Sequence, residues 1–499
     1  MDKQLIKKNI ICSLITQIVT VVCGFIVPRT IISAFGSETN GLVSSISQFL
    51  SYITLLEGGV SGVISAALYK PLAQNDTQKI NAVVNASKKF FFQLGTIYTV
   101  YSVIIGIIYP LIKKVEFSSA YIFALTMVLA SSMMMQYFFS VSYSILIKAD
   151  RKIYLFYNTH TITVLLNAVL VLLAVKLFSD ILIVKLISAA VYAINPIFFS
   201  VYANKHYKLD KKVEPDEQAI SQRWDGFGQT LAYFIHSNTD IVILTFFSTL
   251  STISVYSVYL LVASAMKNLV AAISNAIVPS IGHLIGMEDI EKVRKAYFQY
   301  EYGIFLISSV LFCCCMGLVV PFISVYTKGI TDADYIQPLF GYLIVLAEMI
   351  YCFRDPSTSL IYAAGKFKQT AKYAYAEAGL NIVVSLCLVG RYGLVGVALG
   401  TFAAMALRWF LHIYYLKTDI IFASARETLK TAAIFFLDVI ILIIIYQLVV
   451  PNIMDSYFMW VKYGILGFLL TVSVIASSNY LLNKDRYVEF VLLCKSKVM

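Results

Sequence analysis

Apolar runs of about twenty residues recur along the whole chain and alternate with short polar connectors, a pattern that indicates membrane-crossing helices. A helix suits lipid because it satisfies its own backbone hydrogen bonds within one segment. The pattern predicts an all-α polytopic membrane protein with about 14 transmembrane helices. The predicted spans are 9–34, 40–66, 90–112, 118–147, 153–176, 180–204, 226–249, 252–281, 297–326, 336–364, 370–390, 393–416, 428–450 and 457–482.

The basic residues of the connectors provide an independent check on these spans. With the N-terminus inside the cell, the inner connectors hold about 28 Lys and Arg and the outer ones about 7, in line with the excess of positive charge in cytoplasmic loops. A miscounted helix would scramble that alternation. The pattern therefore predicts a multi-pass protein with both termini in the cytoplasm.

Composition supports the same class and removes others. The chain has 499 residues, 59% of them hydrophobic and 13% charged, and a soluble protein of that size could not bury so much apolar surface. The formal net charge of +11 follows from the inner connectors and needs no nucleic-acid partner. Cys313, Cys314 and Cys315 are adjacent and would project about 100° apart on a helix, so they do not converge on a metal.

The pattern also repeats after about 210 residues, as in transporters built from two related lobes. Pro71 precedes a polar connector and then residues 90–93, and Pro279 precedes a similar connector and then residues 297–299. An even number of helices per copy gives both copies one orientation, so we expect two pseudo-symmetric six-helix lobes around a central cavity. The predicted division is 1–204 for helices 1–6, 205–225 for a cytoplasmic linker, 226–416 for helices 7–12, and 417–499 for helices 13 and 14 with a cytoplasmic tail.

Four basic residues fall inside the predicted spans, where a charge is costly and normally faces a wet cavity or a partner. Arg354 lies about 18 Å along its helix from Lys366, near the middle of a hydrocarbon layer about 30 Å thick. Lys267 lies about 22 Å from the outer end of its helix, whereas Arg408 and Arg29 lie nearer the inner and outer surfaces. Because cationic side chains bind phosphate oxygens, and guanidinium binds two at once, these four are candidate ligands of a diphosphate headgroup.

Each of the three arginines also has a structural explanation, whereas Lys267 lies too deep to reach the membrane surface. Asp355 or Glu348 would neutralise Arg354 in a packed core. Arg408 lies at the depth of Glu377, which allows an ion pair. The arginine near the outer end of helix 1 can extend its side chain to the membrane surface. The sequence leaves these alternatives open.

Acidic residues inside the spans are the second half of the candidate site. Glu57 lies toward the inner end of helix 2, and Asp240 lies past the middle of helix 7. A carboxyl group that is neutral when dry and ionises when its cavity is wetted suits proton or sodium coupling. We therefore take Glu57 and Asp240 as candidate ion-coupling residues, with pairing to Arg29, Lys267 or Arg354 as the alternative. No cofactor is expected apart from a coupling ion, either H⁺ or Na⁺.

Several short stretches resemble one family of membrane proteins. They are VPRT (27–30), FGSETNGL (35–42), LLEGG (55–59) and LYKPLA (68–73) in the first lobe, and NTD (238–240), SVYS (254–257) and AAGKFK (363–368) in the second. These stretches are similar to Wzx-type polysaccharide flippases of the multidrug/oligosaccharidyl-lipid/polysaccharide (MOP) exporter superfamily. Glu57 stands where that family more often has Asp.

The resemblance implies a function and a location. It implies a flippase that turns undecaprenyl-diphosphate-linked oligosaccharide repeat units from the inner to the outer leaflet by alternating access, for a surface polysaccharide such as O antigen or capsule. The protein would reside in the bacterial cytoplasmic (inner) membrane. Its partners would be the lipid bilayer, the lipid-linked glycan, and a polysaccharide polymerase with chain-length machinery.

Three other functions are open to this architecture. An ion-coupled exporter of drugs or small molecules shares the scaffold, but its cationic substrates would not need Arg354 and Lys267 inside the membrane. A membrane polymerase or ligase would need a large outer loop or paired acid and base residues, and the outer connectors are short. An ATP-driven pump fits least well, because Gly365-Lys366 lacks the surrounding GxxxxGK[ST] loop that binds phosphates. We therefore expect a carrier and not an enzyme.

Overall fold

The computed structural model describes residues 3–57, 59–113, 116–224, 238–286 and 290–498, and the regular structure in these ranges is helical. A 3₁₀-helix, Gln218–Trp224, follows the ninth α-helix. The α-helices in chain order are α1 (Lys3–Ser51), α2 (Thr54–Glu57), α3 (Val60–Gln74), α4 (Thr77–Ile112), α5 (Ser119–Phe139), α6 (Val141–Ala149), α7 (Ile153–Leu177), α8 (Ile181–Tyr192), α9 (Ile194–His206), α10 (Asn238–Phe247), α11 (Leu250–Gly286), α12 (Ile290–Tyr326), α13 (Pro338–Ala363), α14 (Phe367–Asp419), α15 (Arg426–Val449), α16 (Tyr457–Leu482) and α17 (Lys484–Val498).

Within the described ranges, 10 helical segments are long and apolar enough to cross a membrane. The predicted class of all-α polytopic membrane protein is confirmed. These segments overlap all the predicted spans except two. One exception is the span 226–249, because residues 225–237 lie outside the described residues and only Asn238–Phe247 is seen as a short apolar helix. The other is 336–364, where α13 contains Glu348, Arg354 and Asp355 and is less apolar.

Two of the apolar segments, Ile11–Glu57 and Lys368–Asp419, have 47 and 52 residues, far more than the roughly 20 that one crossing needs. Each contains a glycine with positive φ at which the helix turns. Gly36 has φ 82° and ψ 170°, and Gly393 has φ 52° and ψ −124°. Side chains with a Cβ rarely adopt such angles, so glycine allows the chain to bend there. Each long segment therefore corresponds to two successive predicted spans, although Ile11–Glu57 ends inside the second.

Three predicted spans are interrupted rather than continuous. The span 40–66 is broken before α2 and again before α3, where Gly59 has φ 66°. The span 118–147 is broken at Ser140, which has φ −139° and ψ −28°, and 180–204 divides at Ala193. Apolar periodicity does not detect such breaks, because the residues on both sides of them remain apolar.

Several helices continue beyond the predicted membrane boundaries. Asp76 caps α4 by accepting a hydrogen bond from the Lys79 backbone N–H at 3.0 Å. From that cap α4 runs for 36 residues, about 54 Å, through a stretch expected to be a connector. The helix α17 lies in the segment expected to be a tail.

The chain divides into two compact units. Unit 1 comprises Met1–Phe234 and Thr249–Ser254, and unit 2 comprises Ile235–Ser248 and Val255–Met499. In unit 1, α1 packs along α7, and α4 packs along α5. In unit 2, α12 packs against α13, α15 and α16, and α13 packs along α14. The predicted lobe boundaries at 204 and 226, and that at 416, stay a prediction.

Candidate functional site

Two of the predicted basic residues in unit 2 bind the same carboxylate. Arg354 Nη1 donates to Glu377 Oε1 at 2.6 Å, and Arg408 Nη1 donates to Glu377 Oε2. All three side chains are buried. Glu377 and Arg408 lie on the two arms of α14 on either side of Gly393, and Arg354 lies on the neighbouring α13. The structure thus forms the ion pair between Arg408 and Glu377 that their common depth had left open.

His412 extends this group by one turn of α14. Arg408 Nε donates to His412 Nε2 at 3.3 Å, and His412 Nδ1 lies 3.0 Å from Thr358 Oγ1. A ring nitrogen that accepts a hydrogen bond from a guanidinium carries no proton, which assigns the proton to Nδ1 and the imidazole to its neutral form. His412 therefore satisfies Arg408 without adding charge.

Lys267 on α11 forms a second ion pair close to the first. Its Nζ lies 3.0 Å from Glu348 Oε1 on α13. The ring of Tyr351 connects the two pairs, since Lys267 Nζ lies 5.1 Å and Arg354 Cζ 4.6 Å from its centroid, both within cation–π range. We call Lys267, Glu348, Arg354, Glu377 and Arg408 the basic cluster. It contains three basic side chains and two carboxylates, and a further carboxylate, that of Asp355, follows Arg354 on α13 and accepts hydrogen bonds from Ser274 Oγ and Tyr300 Oη.

Accessibility differs across the basic cluster. The Lys267 side chain is 21% exposed, whereas those of Arg354 and Arg408 are 4% and 3% exposed. Glu348 Oε2 has no hydrogen-bond partner among the described residues, so the Lys267–Glu348 pair is incompletely satisfied. The pair involving Lys267 is therefore the easier one for a ligand to open.

A buried cluster of oxygen atoms surrounds Asp240 on α10. Asp240 Oδ2 accepts hydrogen bonds from Thr401 Oγ1 at 2.6 Å and from Tyr256 Oη at 2.8 Å. Asn381 Nδ2 donates to Thr401 Oγ1 at 3.1 Å and lies 3.5 Å from Asp240 Oδ1. Ser385 Oγ lies 3.4 Å from the backbone oxygen of Val397 and 3.5 Å from Asn381 Oδ1. We call this group the Asp240 cluster.

The Asp240 cluster contains oxygen atoms of the kinds that a hard cation takes as ligands, namely one carboxylate with hydroxyl, amide and backbone carbonyl oxygens. The atoms nearest the carboxylate in this structure are hydrogen-bond donors, Thr401 Oγ1, Tyr256 Oη and Asn381 Nδ2. A single carboxylate would match the charge of one Na⁺ or bind one H⁺. Asn381 and Ser385, like Val397 and Thr401, are spaced four residues apart in α14 and so share a helix face. That polar spacing inside an apolar span is the signal that sequence reasoning missed.

The remaining candidates, Arg29 and Glu57, lie in unit 1. Arg29 follows Pro28 within α1 and is partly buried. Glu57 ends α2, is partly buried, and accepts hydrogen bonds from Ser61 Oγ at 3.2 Å and from Tyr137 Oη at 3.3 Å. Glu57 lies in one unit and Lys267, Arg354, Arg408 and Asp240 in the other. The roles predicted for all six residues stay predictions.

Comparison with solved structures assigns the fold. The lipid II flippase MurJ in an inward closed conformation superposes with a TM-score of 0.71 at 15% identity, over 94% of this chain and 99% of that one. An inward-facing multidrug resistance MATE family transporter of the MOP superfamily superposes with a TM-score of 0.64 at 13% identity, over 82% of this chain and 98% of that one. The chain therefore has the fold of these transporters. The MATE multidrug transporter DinF-BH superposes with a TM-score of 0.63 at 15% identity, over 85% of this chain and 98% of that one.

The structural likeness confirms the transporter fold that the sequence motifs predicted. At these identities the likeness shows the fold alone. The similar structures include both a lipid II flippase and multidrug transporters. No family model and no curated protein matches the chain. The choice between a lipid-linked glycan and a small molecule therefore depends on the chemistry of the site.

Proposed function

We propose that the protein is a flippase that moves undecaprenyl-diphosphate-linked oligosaccharide repeat units from the inner to the outer leaflet by alternating access. The basic cluster of unit 2 would hold the diphosphate, and the Asp240 cluster would bind the coupling ion. In this proposal the protein is a carrier in the bacterial inner membrane, with both termini in the cytoplasm, and serves surface polysaccharide biosynthesis.

The observation that supports this function best is the grouping of three cationic side chains inside an apolar region, where charge is costly. Each of them pairs with a carboxylate in this structure, so an anionic ligand would take the place of a carboxylate. A diphosphate supplies negative charge at several oxygens, and Arg and Lys are the side chains that bind phosphate best.

Lys267 is the residue that we expect to contact the headgroup directly. It is the most exposed of the three cations, and its partner Glu348 has one oxygen without a hydrogen bond among the described residues. A phosphate oxygen can replace Glu348 at Lys267 while Tyr351 keeps the ammonium group next to Arg354. Arg354 and Arg408, held by Glu377, would then act through their positive field rather than by direct contact. Arg29 of unit 1 remains a candidate contact from the sequence.

The Asp240 cluster supports a coupling role for Na⁺ or H⁺. Its carboxylate is buried and held by hydroxyl and amide groups of α11 and α14 rather than by a basic residue among the described contacts. A cation bound there would neutralise Asp240 and draw α10 and α14 together. Glu57 is the corresponding candidate in unit 1.

A reconstituted transport assay tests the headgroup role. In proteoliposomes with a fluorescent undecaprenyl-diphosphate oligosaccharide, Lys267→Ala should lower the translocation rate about tenfold or more, because a hydrogen bond to a charged group contributes about 1.5–3 kcal/mol. Lys328→Ala is the matched control, since Lys328 forms an exposed ion pair with Asp455 at 3.4 Å. Equal rates in the two variants, at equal protein insertion, would reject the assigned role.

The same vesicles test coupling and separate the rival function. A Na⁺ or H⁺ gradient should stimulate the wild type, and Asp240→Asn should abolish the stimulation; a wild type that ignores both gradients contradicts the coupling proposal. The rival is an ion-coupled small-molecule exporter, which the shared fold of the MATE transporters supports. Transport of an organic cation such as ethidium without transport of the lipid-linked glycan would favour that rival.

A further inference from the structure

Unit 1 contains a cavity of about 610 Å³ at the lysine-rich ends of its helices. It opens between α4, the junction of α5 with α6, and α9. Its volume falls within the range of about 300–1,000 Å³ that is typical of small-ligand sites. By the positive-inside rule its face is the cytoplasmic one, because Lys88, Lys89 and Lys211 lie there.

The cavity is lined by three lysines and, among its described lining residues, by no carboxylate. Lys88 Nζ lies 4.5 Å from the ring centroid of Tyr143, and Lys211 is exposed. Lys89 pairs with Glu217 at 2.6 Å, but both side chains are more than half exposed, and such surface pairs contribute little. The lining is therefore electropositive and suited to an anion.

The break between α5 and α6 adds to this polarity. Ser140 leaves the helical conformation, and its side chain does not cap α6. The first N–H groups of a helix have no partner within it and carry a partial positive charge. Because Ser140 and Ser142 line the cavity, this helix end lies at its wall. The lysines and the helix end thus favour the same kind of ligand.

Part of the cavity lining is apolar. Phe92 and Phe139 line the cavity, and they are 61% and 58% exposed although both lie in predicted membrane spans. Phe92 lies one helical turn after Lys88 on α4, so a cationic and an apolar side chain share one face there. A soluble anion would use the lysines alone, whereas a lipid would place its headgroup on the lysines and its chains along the phenylalanines. The two kinds of lining residue together match an amphipathic ligand.

We propose that this cavity binds the phosphate headgroup of an anionic lipid of the inner leaflet. The shared chemistry is a lipid-borne phosphate, whose source is either the bulk anionic phospholipid or an undecaprenyl diphosphate. The site is formed by unit 1 alone and depends on none of the contacts of the basic cluster. The test of this site is therefore separate from the test of Lys267 in transport.

Native mass spectrometry of the full-length protein released from nanodiscs tests the site. The nanodiscs contain phosphatidylcholine alone, with phosphatidylglycerol, or with undecaprenyl diphosphate. The double variant Lys88→Gln/Lys211→Gln should bind the anionic lipid about 30-fold more weakly, since each lysine near an anionic headgroup contributes a factor of about five. The matched control is Lys79→Gln/Lys205→Gln, which removes the same charge from exposed positions outside the cavity lining.

The arms of this experiment identify the source of the phosphate. A loss confined to phosphatidylglycerol assigns the bulk phospholipid, a loss confined to undecaprenyl diphosphate assigns the polyprenyl lipid, and a loss of both assigns the phosphate itself. Equal lipid binding by the two double variants overturns the proposal. The proposal is also overturned if the wild type binds inorganic diphosphate as tightly as the lipids, because the apolar lining residues would then contribute nothing to binding. Equal elution volumes of both variants in size-exclusion chromatography establish that each is folded.

Discussion

Glu377 and Arg408 are separated by 31 residues on a single helix, and the turn at Gly393 brings them together as a buried ion pair. Arg354 of α13 binds the other oxygen of the same carboxylate. Both oxygens of Glu377 are therefore occupied, and each arginine has an ion-pair partner. The sequence had left the pair with Arg408 open, whereas the contact with Arg354 was not predicted.

Removing the charge of Glu377 should destabilise the protein strongly. Glu377→Gln leaves two buried guanidinium groups around a neutral amide, and breaking a buried pair costs about 3–5 kcal/mol. Thermal unfolding in detergent, followed by intrinsic fluorescence, should show a large fall in Tm. Glu427→Gln is the control, because its pair with Arg486 at 2.5 Å is largely exposed on the glutamate side and should contribute about 1 kcal/mol or less. Similar Tm shifts in both variants would contradict the structural role.

Gly41, in one of the stretches that resemble the flippase family, should tolerate no side chain. A Cβ there would lie 1.8 Å from the backbone oxygen of Leu250, and backbone atoms cannot move aside cheaply. Gly41→Ala should therefore destabilise the protein by about 1–3 kcal/mol. Gly62→Ala is the opposite control, since nothing lies within 4 Å of its Cβ and alanine should stabilise the helix by about 0.5–1 kcal/mol. Chemical denaturation of the two variants should give changes of opposite sign, and stabilisation by Gly41→Ala would refute the close approach.

Glu348 should compete with the headgroup for Lys267. If the proposed function is right, Glu348→Gln removes the resting partner and should tighten binding of undecaprenyl diphosphate several-fold, because a charge-assisted bond is then available to phosphate alone. Fluorescence titration of the detergent-solubilised protein measures this change. The double variant Glu348→Gln/Lys267→Ala should lose the gain, since the two residues are coupled. A gain that persists in the double variant would place the headgroup elsewhere.

Thr401 should tune the coupling ion rather than the headgroup. Thr401→Val keeps the shape of the side chain but removes the hydroxyl that donates to Asp240 at 2.6 Å. The concentration of Na⁺ that gives half-maximal stimulation should rise about tenfold, because an oxygen ligand is lost, while binding of the lipid-linked substrate in detergent stays unchanged. Thr126→Val is the control, because the Thr126 hydroxyl donates to the Ile122 carbonyl of its own helix at 2.7 Å. An unchanged ion dependence would remove Thr401 from the site.

The sequence predicted the fold class because apolar helical spans have a strong local signal. It did not predict the interruption at Ser140, since serine is common inside membrane helices and its backbone angles depend on packing. Gly36 and Gly393 are glycines with positive φ, but many other glycines in the chain are ordinary helical residues, and sequence does not distinguish them. Local pattern thus determined the helices and left their bends to tertiary structure.

The candidate site was predicted one residue at a time, but its partnerships were not. Asp240 was chosen for its charge, whereas its contacts Asn381 and Thr401 lie 141 and 161 residues away and are neutral. The basic residues were chosen for depth, but depth alone could not decide whether Arg354 meets Glu348, Asp355 or Glu377. Such pairings depend on which faces of two helices meet, and a single sequence does not contain that information.

The carboxylate of Glu377 also fastens three helical segments to one another. From its own arm of α14 it binds α13 through Arg354 and the other arm of α14 through Arg408, so flexing at Gly393 would separate opposite charges in an apolar medium. These segments are therefore expected to move as one rigid block during any transport cycle. The hinge motion of such a cycle must then occur in other parts of the chain.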